Sequence, residues 1–248
     1  MASRITIFKN DTRAAQALII GLALIVATVI GGIFYRVSRP PTGVLSVTGS
    51  AKQEVTSDTA KLTVSIQKTV PQSALTAGYT QIAASVASVK ALIAKAGGDA
   101  SSSTVTPVTT YQHYENNQSY TGEQRYDLSD TVEFQTADVA LATNLSQSVT
   151  NLSKDGLVVS VSSLEYYYSK LADLRVSLLG DAIKDAQARA KTIAENSGRT
   201  IGAIESAASG VVQVLPVNSV DVTSGGAYDT AHIEKEVMVT VKATFGVK

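Results

Sequence analysis

The side chains best suited to chemistry are few in this chain, and they are scattered. Histidine occurs twice, at His113 and His232, in separate segments that read as loops or loop edges. A metal centre needs several N, O or S donors converging on one point, and no helical spacing here sets two ligands together with a supporting carboxylate. Both histidines therefore read as solvent-exposed polar residues. Cysteine is absent, which removes thiolate catalysis, disulfides and cysteine-ligated metals. Serine is abundant, yet a serine nucleophile needs a base in reach and a group that orients that base. Neither a G-x-S-x-G elbow nor a phosphate-binding loop occurs. The expectation is a protein that is not an enzyme, with no catalytic residue, no cofactor and no metal.

Residues suited to contact are better represented. Glu165 is followed by Tyr166, Tyr167 and Tyr168. A carboxylate beside aromatics can hold a cation or act as an acid, but three tyrosines where a strand passes into a helix suit packing or subunit contact better. Tyr111, Tyr114, Tyr120 and Tyr126 bracket the polar run Glu115-Asn116-Asn117-Gln118-Ser119, which reads as a hairpin tip. Their rings offer area with a polar handle to another subunit, a glycan or a lipid surface, or they cover the sheet. These seven tyrosines are the candidate interface residues. Asn117, Asn144 and Asn151 each match the glycosylation acceptor pattern, but Leu145 and Leu152 within the last two belong to an apolar helix face, so the matches read as accidental. Twenty-one basic residues balance twenty-one acidic ones, and no basic block points to nucleic acid.

The elements that must carry these residues follow from periodicity. Val44 to Gly49 reads as a strand, and Leu62, Val64 and Ile66 alternate with polar residues in a second, roughly 59–70. Pro71 opens a helix reaching about Lys95, with Leu75, Tyr79, Ile82, Val86, Val89 and Ile93 on one face and Gly97-Gly98 as its stop. Strands are expected at 105–114 and 126–135. Asp138 caps a helix to about Lys154 with Leu141, Leu145, Val149 and Leu152 inward. After a strand at 157–161, the longest helix of the soluble part runs from about Ser169 to Ser197, with Leu179, Ala182, Ile183, Ala186, Ala190, Ile193 and Ala194 facing inward. Short strand segments within 201–217, a glycine-bearing loop at 223–230 and a closing strand alternating through Val237, Val239, Val241, Ala243 and Phe245 complete the chain. This order predicts an α+β fold, a mainly antiparallel sheet with packed helices.

One segment stands apart. Residues 14–35, AAQALIIGLALIVATVIGGIFY, carry no charge and are long enough to cross a bilayer as a helix. They are too long for the apolar region of a usual cleaved signal and lack a small-x-small cleavage site, so an uncleaved signal anchor fits. Arg4, Lys9 and Arg13 precede the span and Arg36 and Arg39 follow it, a narrow bias toward a cytoplasmic N-terminus. The expected organisation is a cytoplasmic tail (1–13), a transmembrane helix (14–35), a proline-bearing linker (36–42) and an extracytoplasmic domain (43–248). Ala17, Gly21, Ala23, Ala27 and Gly31 form a small-residue pattern along which spans approach one another in lipid.

The soluble part resembles the SIMPL domain family, formerly a domain of unknown function. The likeness rests on Val47-Thr48-Gly49, on Asp58-Thr59-Ala60-Lys61-Leu62-Thr63-Val64, and on the helix end 89–97. It rests most on 171–194 with Gly198 and Ile201-Gly202 after it, and on the valine-rich closing strand. The chain departs from the family pattern at Ser50, where a second glycine is common, and in the tyrosine-bearing segment 111–126. Members include an oxidative stress defence protein and a periplasmic immunogenic protein of bacteria. The resemblance implies an envelope protein without established catalysis, with relatives that build large ring-shaped or channel-like homo-oligomers. The expected role is a membrane-anchored, self-assembling structural protein of the cell envelope. The alternative is a binding module for a cell-wall or protein partner linked to stress tolerance.

Overall fold

The structure is a computed structural model that describes residues 12–37, 43–114, 122–153, 158–219 and 223–248. Its first element is helix α1 (Thr12–Val37), 26 residues, about 39 Å at the α-helical rise. Within it Gln16–Tyr35 is long and apolar enough to cross a membrane, and none of that window is buried. The hydroxyl of Thr28 donates to the carbonyls of Leu24 and Ile25 at 2.7 and 2.9 Å, so its polarity is met inside the helix. The rest of the chain forms β1 (Gly43–Thr56), β2 (Thr59–Pro71), α2 (Leu75–Lys95), β3 (Thr104–Val105), β4 (Thr109–Gln112), β5 (Arg125–Thr136), α3 (Val139–Val149), β6 (Val158–Tyr167), α4 (Leu171–Asn196), β7 (Ile201–Ser209), β8 (Gln213–Pro216) and β9 (Glu234–Val247). The fold is α+β, with antiparallel pairing in each strand ladder detailed below.

Packing divides the chain into two units, residues 48–186 with 208–242, and residues 1–47 with 187–207 and 243–248. The larger unit is organised by a five-stranded sheet of order β3-β5-β2-β6, with β4 also on β5. The strict alternation along β2 explains why it is central: Ala60, Leu62, Val64 and Ile66 are buried on one face while their neighbours are only partly covered. Its partner β5 matches that face across the ladder, Leu62 opposite Phe134 and Val64 opposite Val132. Helices α2 and α3 bury their apolar stripes here, and Ile82, Val89, Ile93, Leu145 and Val149 join the strand residues in one core. Gly78 lets α2 come close, since a Cβ there would lie 2.6 Å from a methyl of Leu128. Asp138 caps α3 as expected, its carboxylate accepting from the Leu141 amide at 2.8 Å.

The second sheet is β1-β9-β7, with β8 also on β9. In the larger unit, α4 lies across β1 at Gly49, where an added Cβ would stand 2.2 Å from the Ala182 carbonyl oxygen and 2.4 Å from the Ala186 nitrogen. A helix can approach a strand this closely only where both surfaces are small. Leu174, Leu178, Ala182, Ala186, Ala190 and Ala194, four residues apart throughout, are the buried positions of α4.

The structure differs from the periodicity in several places: β1 runs on to Thr56, α3 ends at Val149, and three further differences concern side chains and pairing. Ile193, expected inward, is 44% exposed, because the alanine seam is narrow and a branched side chain beside it is turned out. Tyr79, expected on the α2 core face, is also exposed and meets the Thr110 hydroxyl through its own at 2.6 Å. The strand expected at 105–114 is split into β3 and β4. Between them the Thr106 amide still donates to the Thr131 carbonyl at 3.0 Å, but its hydroxyl stands in for the backbone acceptor, accepting from the Thr131 amide and donating to Asp130.

Candidate functional site

Residues 165–168 lie at the end of β6, and the structure sends their three rings to different places. Tyr166 is buried, and its hydroxyl pairs with that of Thr143 on α3 at 2.9 Å. Tyr167 packs its ring 6.3 Å from that of Tyr228, tilted by 38°. Burial, then the neighbouring Glu165, push the Tyr167 phenol above its ordinary pKa. Tyr168 packs against the cluster of Val55, Leu174, Leu178, Val214, Val237 and Val239. A strand alternates its side chains and a turn follows, so consecutive tyrosines need not share a surface.

Beneath Tyr166 sits Lys235, the largest side chain that is almost fully buried, at 1% exposure. Its Nζ donates to the Tyr166 carbonyl at 2.9 Å and to the Asp229 carbonyl, with the Asp229 carboxylate 3.7 Å away. Burial lowers the lysine pKa, opposed by Asp229. Burial pushes Asp229 upward, but hydrogen bonds from His232 and the Ala231 amide, with Lys235 nearby, prevail and hold the carboxyl below its usual range. The ammonium thereby ties the segment before β9 to the end of β6. Beside it, Tyr166, Pro216, Val217, Ala231, His232, Ile233 and Glu234 line an open concavity of about 560 Å³. Lys235, Asp229 and Tyr228 were not among the sequence candidates. The signal for the lysine was present: position 235 is in phase with the inward row Val237, Val239, Val241, so a cation there must be buried and paired.

The other tyrosines belong to the β4–β5 region. Tyr111 is opposite Asp127, and Gln112 opposite Tyr126. Tyr111 is 68% exposed and Tyr114 is 56% exposed. Tyr126 is partly covered, and its hydroxyl donates to Gln124 at 3.1 Å. Tyr120 and the acceptor-like Asn117 lie outside the described residues. His113 bonds Asp127 through Nδ1 at 2.8 Å, and the same carboxylate accepts from Thr69. Burial raises the Asp127 pKa, and the bonds from Thr69 and His113, helped by Arg125, outweigh it and lower the value. His232 bonds Asp229 in the same way at 3.1 Å. Each histidine thus has its own carboxylate, and the described residues hold no group of three metal-ligating side chains.

Asp58, in the turn between β1 and β2, organises a third junction. Its carboxylate accepts from the Ser169 amide at 2.8 Å and the Ser169 hydroxyl at 2.7 Å, while its own amide donates to the Tyr167 carbonyl. Burial pushes its pKa up, but the bonds from Ser169 and Thr59 together bring it below the usual carboxylate value. The residue binds the turn to the entry of α4. At Ser50, the amide donates to the Asp185 carboxylate of α4 at 2.8 Å.

In α1, Ala17, Ala23, Ala27 and Gly31 are exposed and Gly21 nearly so. A Cβ at Gly21 or Gly31 would meet open space. Among the described residues, the polar side chains at these sites are engaged in hydrogen bonds and ion pairs that join elements of the fold.

Compared with known proteins, the chain matches no curated protein. It does match the profile of a family described as "SIMPL: Protein of unknown function (DUF541)" over residues 45–245. That match takes in α2, α3, α4 and the strands of both sheets, apart from the first two residues of β1 and the last two of β9. The chain therefore belongs to the SIMPL family, and its domain is preceded by one apolar helix with the length and composition of a membrane span.

Proposed function

We propose that the protein is a structural component of the cell envelope, held by α1 in the membrane with its N-terminus cytoplasmic and its domain outside, and that copies assemble into a large homo-oligomer. It acts by contact and not by catalysis. The observation that supports assembly is β7. From Ala203 to Ser209 this strand is exposed on every residue, and β9 is its partner in the sheet. Its one charge is Glu205, and it has neither a lysine nor a proline, two residues that natural edge strands use against pairing. Small side chains at Ala203, Ser206, Ala207, Ala208 and Ser209 leave room for a neighbouring backbone. The same sheet ends in β1 on its other side, and an edge of one copy against a different edge of the next propagates as a ring or a filament.

The test is the mass of full-length particles in mild detergent by light scattering, with Ala203→Lys/Ala207→Lys as the edge-blocked form. The proposal expects a large wild-type particle that the two lysines reduce in size. Wild-type monomers throughout the micromolar range would end it. A second reading, a binding module for an envelope or cell-wall partner, draws on the exposure of Tyr111 and Tyr114. It expects Tyr111→Ser/Tyr114→Ser to lose capture of cell-wall fragments while keeping the wild-type circular dichroism. Unchanged capture would remove that surface.

A further inference from the structure

In the smaller unit, the start of β1, the end of α4 and the end of β9 enclose a cleft of about 250 Å³, lined by Gly43, Val44, Leu45, Ile193, Ala194, Ser197, Arg199 and Val247. Val44 is 58% exposed and Ile193 44%, an apolar mouth that folding leaves in water. At its edge a guanidinium nitrogen of Arg199 stands 2.7 Å from where a Gly43 Cβ would lie, so glycine makes room for it. Arg199 has no carboxylate partner among the described residues. Lys248 adds a second exposed cation beside it, its backbone paired in both directions with that of Thr200.

The length of chain before β1 decides what this cleft faces. The apolar window of α1 ends at Tyr35 and the helix at Val37, and β1 begins at Gly43. Fully stretched, that connection reaches only about 20 Å. If α1 spans a bilayer, Gly43 lies no farther than this from the lipid surface, and Val44, Ile193 and Arg199 lie beside Gly43. Apolar side chains under a basic rim suit the boundary between acyl chains and phosphates. We propose that this cleft docks on the membrane surface, with Val44 and Ile193 entering the headgroup layer and Arg199 meeting lipid phosphate. The proposal rests on the membrane-anchored reading of α1. It gives the smaller unit a second hold on the bilayer.

Because the chain has no cysteine, single labels are clean. Full-length protein carrying Ile30→Cys, Val44→Cys, Ile193→Cys or Val158→Cys is labelled with bimane. Each form is reconstituted into phosphatidylcholine/phosphatidylglycerol vesicles containing lipid brominated close to the headgroup. Contact within the ~5–10 Å interfacial depth predicts quenching at positions 44 and 193 at least about twofold above that at position 158. Arg199→Glu in the Ile193→Cys background is expected to bring that quenching down toward the position-158 level. Quenching at position 30 with none above the position-158 level at 44 and 193 overturns the docking while leaving the anchor standing. Unchanged quenching in the Arg199→Glu form overturns the role given to that residue. Absence of quenching at position 30 overturns the anchor itself and the docking with it.

Discussion

Substitution of Gly49 by alanine adds a single methyl group at the point where β1 crosses under α4. The new carbon would lie 2.2 Å from the Ala182 oxygen, 2.4 Å from the Ala186 nitrogen and 2.8 Å from the Ala186 Cα. Those are backbone atoms of one helical hydrogen bond, so no rotamer change relieves the overlap. Ordinary contact requires a retreat of about 1 Å by the whole helix, which loosens the contacts of its buried stripe. Overpacking costs about 1–3 kcal/mol, and a backbone obstacle puts this site near 3 kcal/mol. For a chain of this size that corresponds to a fall in Tm of about 6–12 °C. Gly180→Ala is the matched control: it lies in the same helix with nothing within 4 Å of the added carbon, and gains about 0.5–1 kcal/mol from helix propensity. Thermal unfolding of both full-length variants, followed by circular dichroism in one detergent, separates the effects. A Gly49→Ala protein melting with the wild type refutes close helix–strand contact as the reason for glycine there.

Lys235→Met retains the stem of the side chain but leaves the carbonyls of Tyr166 and Asp229 without their buried donor, and a loss of about 2–4 kcal/mol is expected from urea unfolding. An unshifted midpoint contradicts the tie. Asp58 titrates below its ordinary value in the fold, so the unfolded chain binds its proton first as pH falls. Its contribution is complete above the unfolded pKa and is lost as pH drops through the folded one. Asp58→Asn should lower Tm at neutral pH and flatten the decline of Tm on acidification, and parallel profiles for the two proteins would count against it. Ser57 has a buried hydroxyl with no hydrogen-bond partner among the described residues. Ser57→Ala is therefore expected to be neutral or to stabilise by up to about 1 kcal/mol, and clear destabilisation in the same urea assay would expose a partner for that hydroxyl.

Much of the fold was legible because one period at a time describes it. Alternation through Leu62, Val64 and Ile66 and through Val237, Val239 and Val241 marked β2 and β9, and Asp138 with its following apolar residues marked α3. The breaks came where a side chain replaced a backbone partner, as Thr106 does between β3 and β4. They also came where a close interface selected small residues over large ones, as on α4. The first event leaves no periodic trace; on α4 the four-residue repeat is there in the alanines, and the period misplaces only a larger neighbour such as Ile193.

The contact surfaces were less legible than the fold. Four consecutive letters, Glu165 to Tyr168, looked like one cluster, yet Tyr166 and Tyr168 turn into different cores while Tyr167 meets Tyr228 from a distant segment. The buried Lys235 was visible only as a charge out of place in a valine row.

The chain alone determined the candidate span, the α+β order of elements and the absence of thiol chemistry, since each depends on composition or on residues near in sequence. Tertiary structure decided which glycine lets α4 meet β1 and which tyrosines face water. It also decided which carboxylate each histidine binds and that β7 stands open on both faces. Those outcomes depend on residues far apart in the chain arriving at one place, and the strength of a contact or the cost of a buried charge is set by that neighbourhood and not by the residue itself.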